Sequence, residues 1–111
     1  MGFDREEYKR RRSRRRKVKR ERREKDRFYT SREWYELRYQ ALKLSRGCCE
    51  LCGAVGGDPN NPLHVDHIKP RARYPELELK LTNLQILCRA CNMGKGARDM
   101  TNWKHPREII P

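Results

Sequence analysis

The residues best suited to chemistry lie between Cys49 and Asn92. Cys49-x-x-Cys52 and Cys88-x-x-Cys91 form two pairs with 35 residues between them. A two-residue gap lets a tight turn present both sulfurs to one ion. Four thiolates complete tetrahedral zinc and leave no open position, so this set reads as a structural staple. Cys48 is a spare thiol; it could replace Cys49 through a Cys-x-x-x-Cys spacing, but Cys49 fits better. Between the pairs runs His64-Val-Asp66-His67-Ile-Lys-Pro70, and Asn92 directly follows Cys91. A carboxylate and an amide oxygen are hard donors suited to Mg²⁺ or Mn²⁺, with Ni²⁺ or another divalent ion an alternative. A neutral imidazole is a suitable proton acceptor near pH 7. Such a set matches the needs of phosphodiester hydrolysis: a base for the water, a cation for the developing charge, and in-line positioning. His64 lies two residues before Asp66, on the same face of an extended strand, and is a further candidate ligand, a phosphate contact or a partly exposed structural His.

The second knuckle sits in a longer run, Asn83-Leu-Gln-Ile-Leu-Cys88-Arg-Ala-Cys91-Asn92-Met-Gly-Lys95-Gly. Together with both knuckles and the Asp-His pair followed by Ile and Pro, this run resembles the HNH, or ββα-metal, nuclease family over roughly Cys49 to Arg98. The stretch from Phe28 to Cys52 also looks like the lead-in helix of small phage-encoded HNH proteins. The resemblance implies a small α+β, zinc-bound domain with a ββα-metal, treble-clef-like core. It makes His67 the general base, Asp66 and Asn92 the ligands of a catalytic divalent ion, and Asn83 the brace of the loop between the strands. It implies products with 5′-phosphate and 3′-hydroxyl ends. The family's final His has no clear counterpart, since the matching helix offers Lys95 and Gly96. Asn92 is therefore taken as the terminal ligand, as in zinc-knuckle members that also lack that His. His105 is read as structural.

The elements that must position these groups are short. The spacing predicts strands over Leu63–Asp66 and Leu84–Leu87, a loop over 68–82 and a helix over Arg89–Arg98. A further helix is expected at 31–45, opened by a Thr30–Glu33 capping box and stopped at Gly47. Trp34, Leu37, Ala41 and Leu44 form its apolar seam. The organisation is thus a basic arm at 1–27, a lead-in helix at 28–47, the nuclease core with its four-cysteine site at 48–98, and a tail at 99–111 lying over the domain.

Composition points to the same partner. The 111 residues carry 28 Lys and Arg against 15 Asp and Glu, a net +13, and are 35% hydrophobic. So thin a core calls for a staple, and so strong a positive charge favours polyanions, DNA first. Residues 1–27 hold 15 Lys and Arg against 6 Asp and Glu, net +9. No apolar stripe docks them, so they read as a solvated arm, disordered or partly helical until it meets an anion, with Arg11 and Arg15 among its contacts. Lys69, Arg71, Arg73 and Lys95 are candidate phosphate contacts nearer the core. No apolar run is long enough for a membrane span and the N-terminus lacks a secretory h-region, so a cytoplasmic location is expected, in the bacterial host if the source is a phage. Two other readings compete with a nuclease: a noncatalytic zinc-dependent DNA-binding module, and a partner of phage terminase or other packaging proteins, which does not exclude cleavage.

Overall fold

The computed structural model describes residues 2–104. His105 and the rest of the expected 99–111 tail beyond Lys104 lie outside the described residues. The chain divides into two compact units, one up to Tyr35 and one from Glu36 onward.

In the first unit, helix α1 runs unbroken over Arg5–Tyr29 and buries no residue. Its start is set by Asp4, whose carboxylate accepts hydrogen bonds from the backbone N–H groups of Glu6 and Glu7. Glu6 and Glu7 in the first turn and Arg27 in the last complement the helix dipole. The arm is thus a continuous helix here, because its Arg, Lys and Glu residues are good helix formers and nothing in the run breaks it. Thr30 closes α1 by hydrogen bonding its hydroxyl to the Asp26 and Arg27 carbonyls, at 2.8 and 3.3 Å. The following cap therefore falls one residue later than the expected capping box. Ser31 Oγ accepts from the Trp34 N–H at 3.2 Å, and α2 spans Arg32–Leu44, most of it in the second unit. Trp34 and Ala41 of its expected seam are buried, whereas Leu44 is 45% exposed. The chain leaves α2 through Arg46 and Gly47, both left-handed (φ 57° and 72°), which Gly47 adopts without strain.

In the second unit, β1 (Leu63–His67) pairs antiparallel with β2 (Leu84–Cys88), with Asp66 opposite Gln85 and His67 opposite Leu84. Helix α3 (Arg89–Lys95) follows β2 directly. The result is a ββα unit in a small α+β fold. All five residues of β2 are buried. Leu87, Cys88 and Cys49 pack in one cluster with Ala54, Leu63 and Cys91. α3 is shorter than expected: Gly96 ends it at φ 69° and ψ −173°, a conformation that essentially only glycine adopts.

Candidate functional site

The first knuckle is built by two interlocked bonds, Cys49 N–H to Ala54 O at 2.8 Å and Gly53 N–H to Cys49 O at 2.9 Å. Glu50, missed in the sequence reading, ties that knuckle to β2. Its N–H donates to Ile86 O, and its buried carboxylate accepts from the Ile86 N–H at 2.9 Å. The second knuckle opens α3, where Asn61 Oδ1 caps Ala90 N–H at 3.0 Å. These anchors bring the Sγ atoms of Cys49, Cys52, Cys88 and Cys91 within 4.8 Å of one another. Cys48 stays out of the cluster and bridges to Val55 instead.

The donor set fits zinc. Tetrahedral Zn–S bonds of about 2.3 Å require S···S edges of about 3.8 Å, and Cys52 and Cys88 sulfurs stand 3.7 Å apart. The thiols also titrate unequally. The backbone N–H of Cys91 holds Cys88 down to about 6. Burial pushes Cys49 up, but the backbone N–H groups of Cys52, Cys88 and Leu51 outweigh it and leave that thiol lowered. Burial, and then the three neighbouring sulfurs, raise Cys91. Four thiolates at contact need a cation between them, and a divalent soft-to-borderline ion supplies it.

His67, at the end of β1, is buried, and its Nε2 lies 3.0 Å from the Glu78 carbonyl oxygen. A carbonyl can only accept, so Nε2 carries the proton and Nδ1 is the acceptor nitrogen. Burial lowers its pKa below the ordinary 6.5, with Arg71 adding to the effect and the Glu78 carbonyl opposing it. Arg71 in turn holds the Glu78 carboxylate, Nε to Oε2 at 3.1 Å. It therefore supports the loop behind His67 instead of standing ready on the surface.

The 68–82 loop is pinned by Asn83, 6% exposed. Its Oδ1 accepts from Lys69 N–H at 2.9 Å, while its Nδ2 donates to the carbonyls of Lys69 (3.1 Å) and Leu77 (3.3 Å). Asn83→Ala would leave these backbone groups without partners at about 1–3 kcal/mol for a buried one. The expected result is a loss of about that size in a denaturant melt of the zinc-loaded protein, and an unchanged midpoint would deny the brace.

Asp66 accepts from two directions. Gln85 Nε2 donates to Oδ2 at 3.0 Å, and the Lys95 ammonium lies 3.1 Å from Oδ2 and 3.3 Å from Oδ1. The Lys95 side chain is only 4% exposed, so it faces this carboxylate, not the solvent. Asn92 lies one turn before Lys95 on the same side of α3, and its side chain makes no hydrogen bond among the described residues. An amide oxygen and a carboxylate are each donors that suit a hard divalent ion, and it is Lys95 that holds both oxygens of Asp66 here. No hydrogen bond joins Asp66 to Asn92 among the described residues. His64 is exposed, opposite Leu87 in the sheet.

Of the other expected contacts, Lys69 stands 5.3 Å over the Tyr74 ring, and Arg73 is exposed. On α1, Arg15 is exposed and Arg11 is paired with Glu7 at 2.8 Å. No described helix is long and apolar enough to cross a membrane.

Residues 49–98 match the profile of the family described as HNH endonuclease. Over 58 residues, 51% of this chain, it is 40% identical to protein ea31 of Escherichia phage lambda. Over 63 residues, 57% of this chain, it is 29% identical to the Septu protein PtuB of Bacillus thuringiensis. The matched regions span 18% and 24% of those two relatives' own lengths. No solved structure matches.

Proposed function

We propose that this chain, whose residues 49–98 are an HNH endonuclease domain, is itself an active metal-dependent DNA endonuclease. The observation that carries the reading is the 3.0 Å contact of His67 Nε2 with the Glu78 carbonyl, which favours the tautomer protonated at Nε2. In that tautomer Nδ1 is the basic nitrogen, the atom that takes a proton from the attacking water. Asp66 and Asn92 would hold the divalent cation, which when bound supplies charge stabilisation at a phosphoryl oxygen and at the leaving 3′ oxygen. Asn83, Arg71 and Glu78 keep the loop that orients the imidazole. The four-cysteine zinc site fixes where α3 begins, and so where Asn92 stands relative to β1. A noncatalytic module would have no use for the orientation of His67. The test is the chemistry of the break. Nicks made in plasmid DNA should be resealed by DNA ligase, which needs 5′-phosphate beside 3′-hydroxyl. Nicks that ligase cannot close would overturn the product assignment.

Helix α1 supplies the affinity in this reading. It is about 37 Å long at 1.5 Å per residue, and at 3.6 residues per turn Lys9, Arg12, Arg16, Lys19, Arg23 and Arg27 fall in one stripe. Glu7 and Glu21 lie on the other side, Glu6 and Glu24 flank the stripe with Glu6 paired to Lys9 at 3.6 Å, and Asp26 borders it. Changing Arg12, Arg16 and Arg23 to Gln should flatten the slope of log affinity against log salt by roughly 2.7, about 0.9 per phosphate lost. Changing Arg10, Arg14 and Lys17 should move it much less. Equal losses from both sets would mean that the arm acts as unshaped charge. The likeness to a phage protein supports a phage source and action in the host cytoplasm; a link to terminase rests on the resemblance to small phage proteins alone.

A further inference from the structure

Gln85 is 0% exposed in a strand otherwise made of Leu, Ile and Cys. A leucine would fill that position at no polar cost, whereas a buried amide is tolerated only when its groups are bonded. Here they are. Gln85 stands opposite Asp66 in the sheet. Its Nε2 donates to Asp66 Oδ2 at 3.0 Å and to the Thr101 carbonyl at 3.1 Å. Its Oε1 accepts from the Trp103 N–H at 2.8 Å. Both donors and the acceptor of the amide are used.

The segment on the far side of this amide is itself held in shape. Asp99 Oδ1 accepts from the N–H and the hydroxyl of Thr101 at 2.8 and 2.6 Å, and Lys104 Nζ donates to Thr82 O at 2.6 Å. A strap over Asp99–Lys104 is thereby joined through one buried side chain to one oxygen of Asp66.

We infer that Gln85, held by the strap, is a positioning residue that sets the Asp66 carboxylate for its divalent cation. The inference rests on the reading of Asp66 as a ligand of that ion. Groups hydrogen-bonded to a metal's ligands orient them, and their loss costs about 10–100-fold in metal affinity or activity. The amide does this from behind Oδ2. The amide bonds only Oδ2 and the strap restrains the amide, while Lys95 Nζ, 3.1 Å from Oδ2 and 3.3 Å from Oδ1, is the partner that the cation would displace.

The test measures Mn²⁺ binding to the zinc-loaded full chain from the spin-resonance signal of the free ion. It uses Gln85→Ala, Trp103→Pro, Trp103→Ala and Asp66→Ala, each with zinc content checked. Gln85→Ala should weaken Mn²⁺ binding about 10–100-fold. Trp103→Pro removes the N–H that anchors the amide and should weaken binding several-fold more than Trp103→Ala, which keeps it. This comparison stands even if Gln85→Ala fails to fold. Cleavage by the weakened variants should recover as Mn²⁺ is raised, which general loss of structure would not allow. If Asp66→Ala loses Mn²⁺ while Gln85→Ala and Trp103→Pro bind it as tightly as wild type, the positioning role is wrong. If Asp66→Ala itself binds Mn²⁺ normally, the ligand assignment falls and takes this inference with it.

Discussion

Replacing His67 with Ala is expected to slow DNA cleavage by about 10²–10⁴-fold, the usual contribution of a positioned general base. The substitution removes Nδ1, the only proton acceptor that the Glu78 carbonyl orients, and leaves Asp66, Asn92 and the four cysteines untouched. Zinc content and DNA affinity should stay at wild-type values. Excess Mg²⁺ or Mn²⁺ should not restore the rate, in contrast to Asp66→Ala and Asn92→Ala, which fail by losing the ion. The pH profile carries a matching signature. Burial lowers the His67 pKa beneath 6.5, so the imidazole is neutral and competent above that value. The rate should fall as pH drops through an inflection below 6.5. The sign for stability is the same: a group whose folded pKa is depressed favours the fold above its unfolded value and loses that contribution as pH falls. A profile flat down to pH 5, with His67→Ala as fast as wild type, would remove His67 from the chemistry.

The second large effect is structural. Chelating the metal, or changing Cys52 or Cys88 to Ser, is expected to abolish the cooperative melt of the second unit. Its buried apolar set is small, essentially Ala41, Ile68, Leu84, Ile86 and Leu87 with two cysteines. Zinc binding in small modules is worth on the order of 10 kcal/mol, about the whole stability of an ordinary domain. Hydrogen exchange of the β1 and β2 amides is the suitable probe, because α1 buries nothing and its helical signal need not follow the second unit. Zinc should measure one per chain, with four sulfurs at about 2.3 Å. Metal-free protein with β1 and β2 still protected would contradict the staple.

How much of this could be read in the sequence depends on whether a feature is local. The two Cys-x-x-Cys pairs carry their own geometry, and the four sulfurs converge as expected. The strands at Leu63 and Leu84 announce themselves by short apolar runs, and each extends one residue further than expected because antiparallel pairing continues to His67 and Cys88. Asn83 bonds the backbone of Lys69 and Leu77 in the 68–82 loop. What failed was either a boundary or a contact made across the fold. Thr30 looked like a cap, but α1 runs far enough that Thr30 closes it and Ser31 opens α2. Lys95 and Arg71 read as candidate phosphate contacts in the sequence; the three-dimensional arrangement places them against Asp66 and Glu78, partners too distant in the chain to foresee. Glu50 gave no sign of importance, and Gln85 stood in the resembling run without a role, because their partners lie 16 to 36 residues away in the chain. The charged arm has no apolar period to reveal a helix, and its helicity rests on propensity and capping alone.

The most direct measurement for the central claim is the fate of supercoiled plasmid mixed with zinc-loaded wild-type protein, with and without Mg²⁺, Mn²⁺ or Ni²⁺. The account predicts conversion to open-circular or linear DNA when one of these ions is added, and none when it is left out. Plasmid that stays supercoiled with every ion, while the protein still binds it, would contradict the nuclease and leave a zinc-stapled DNA-binding module.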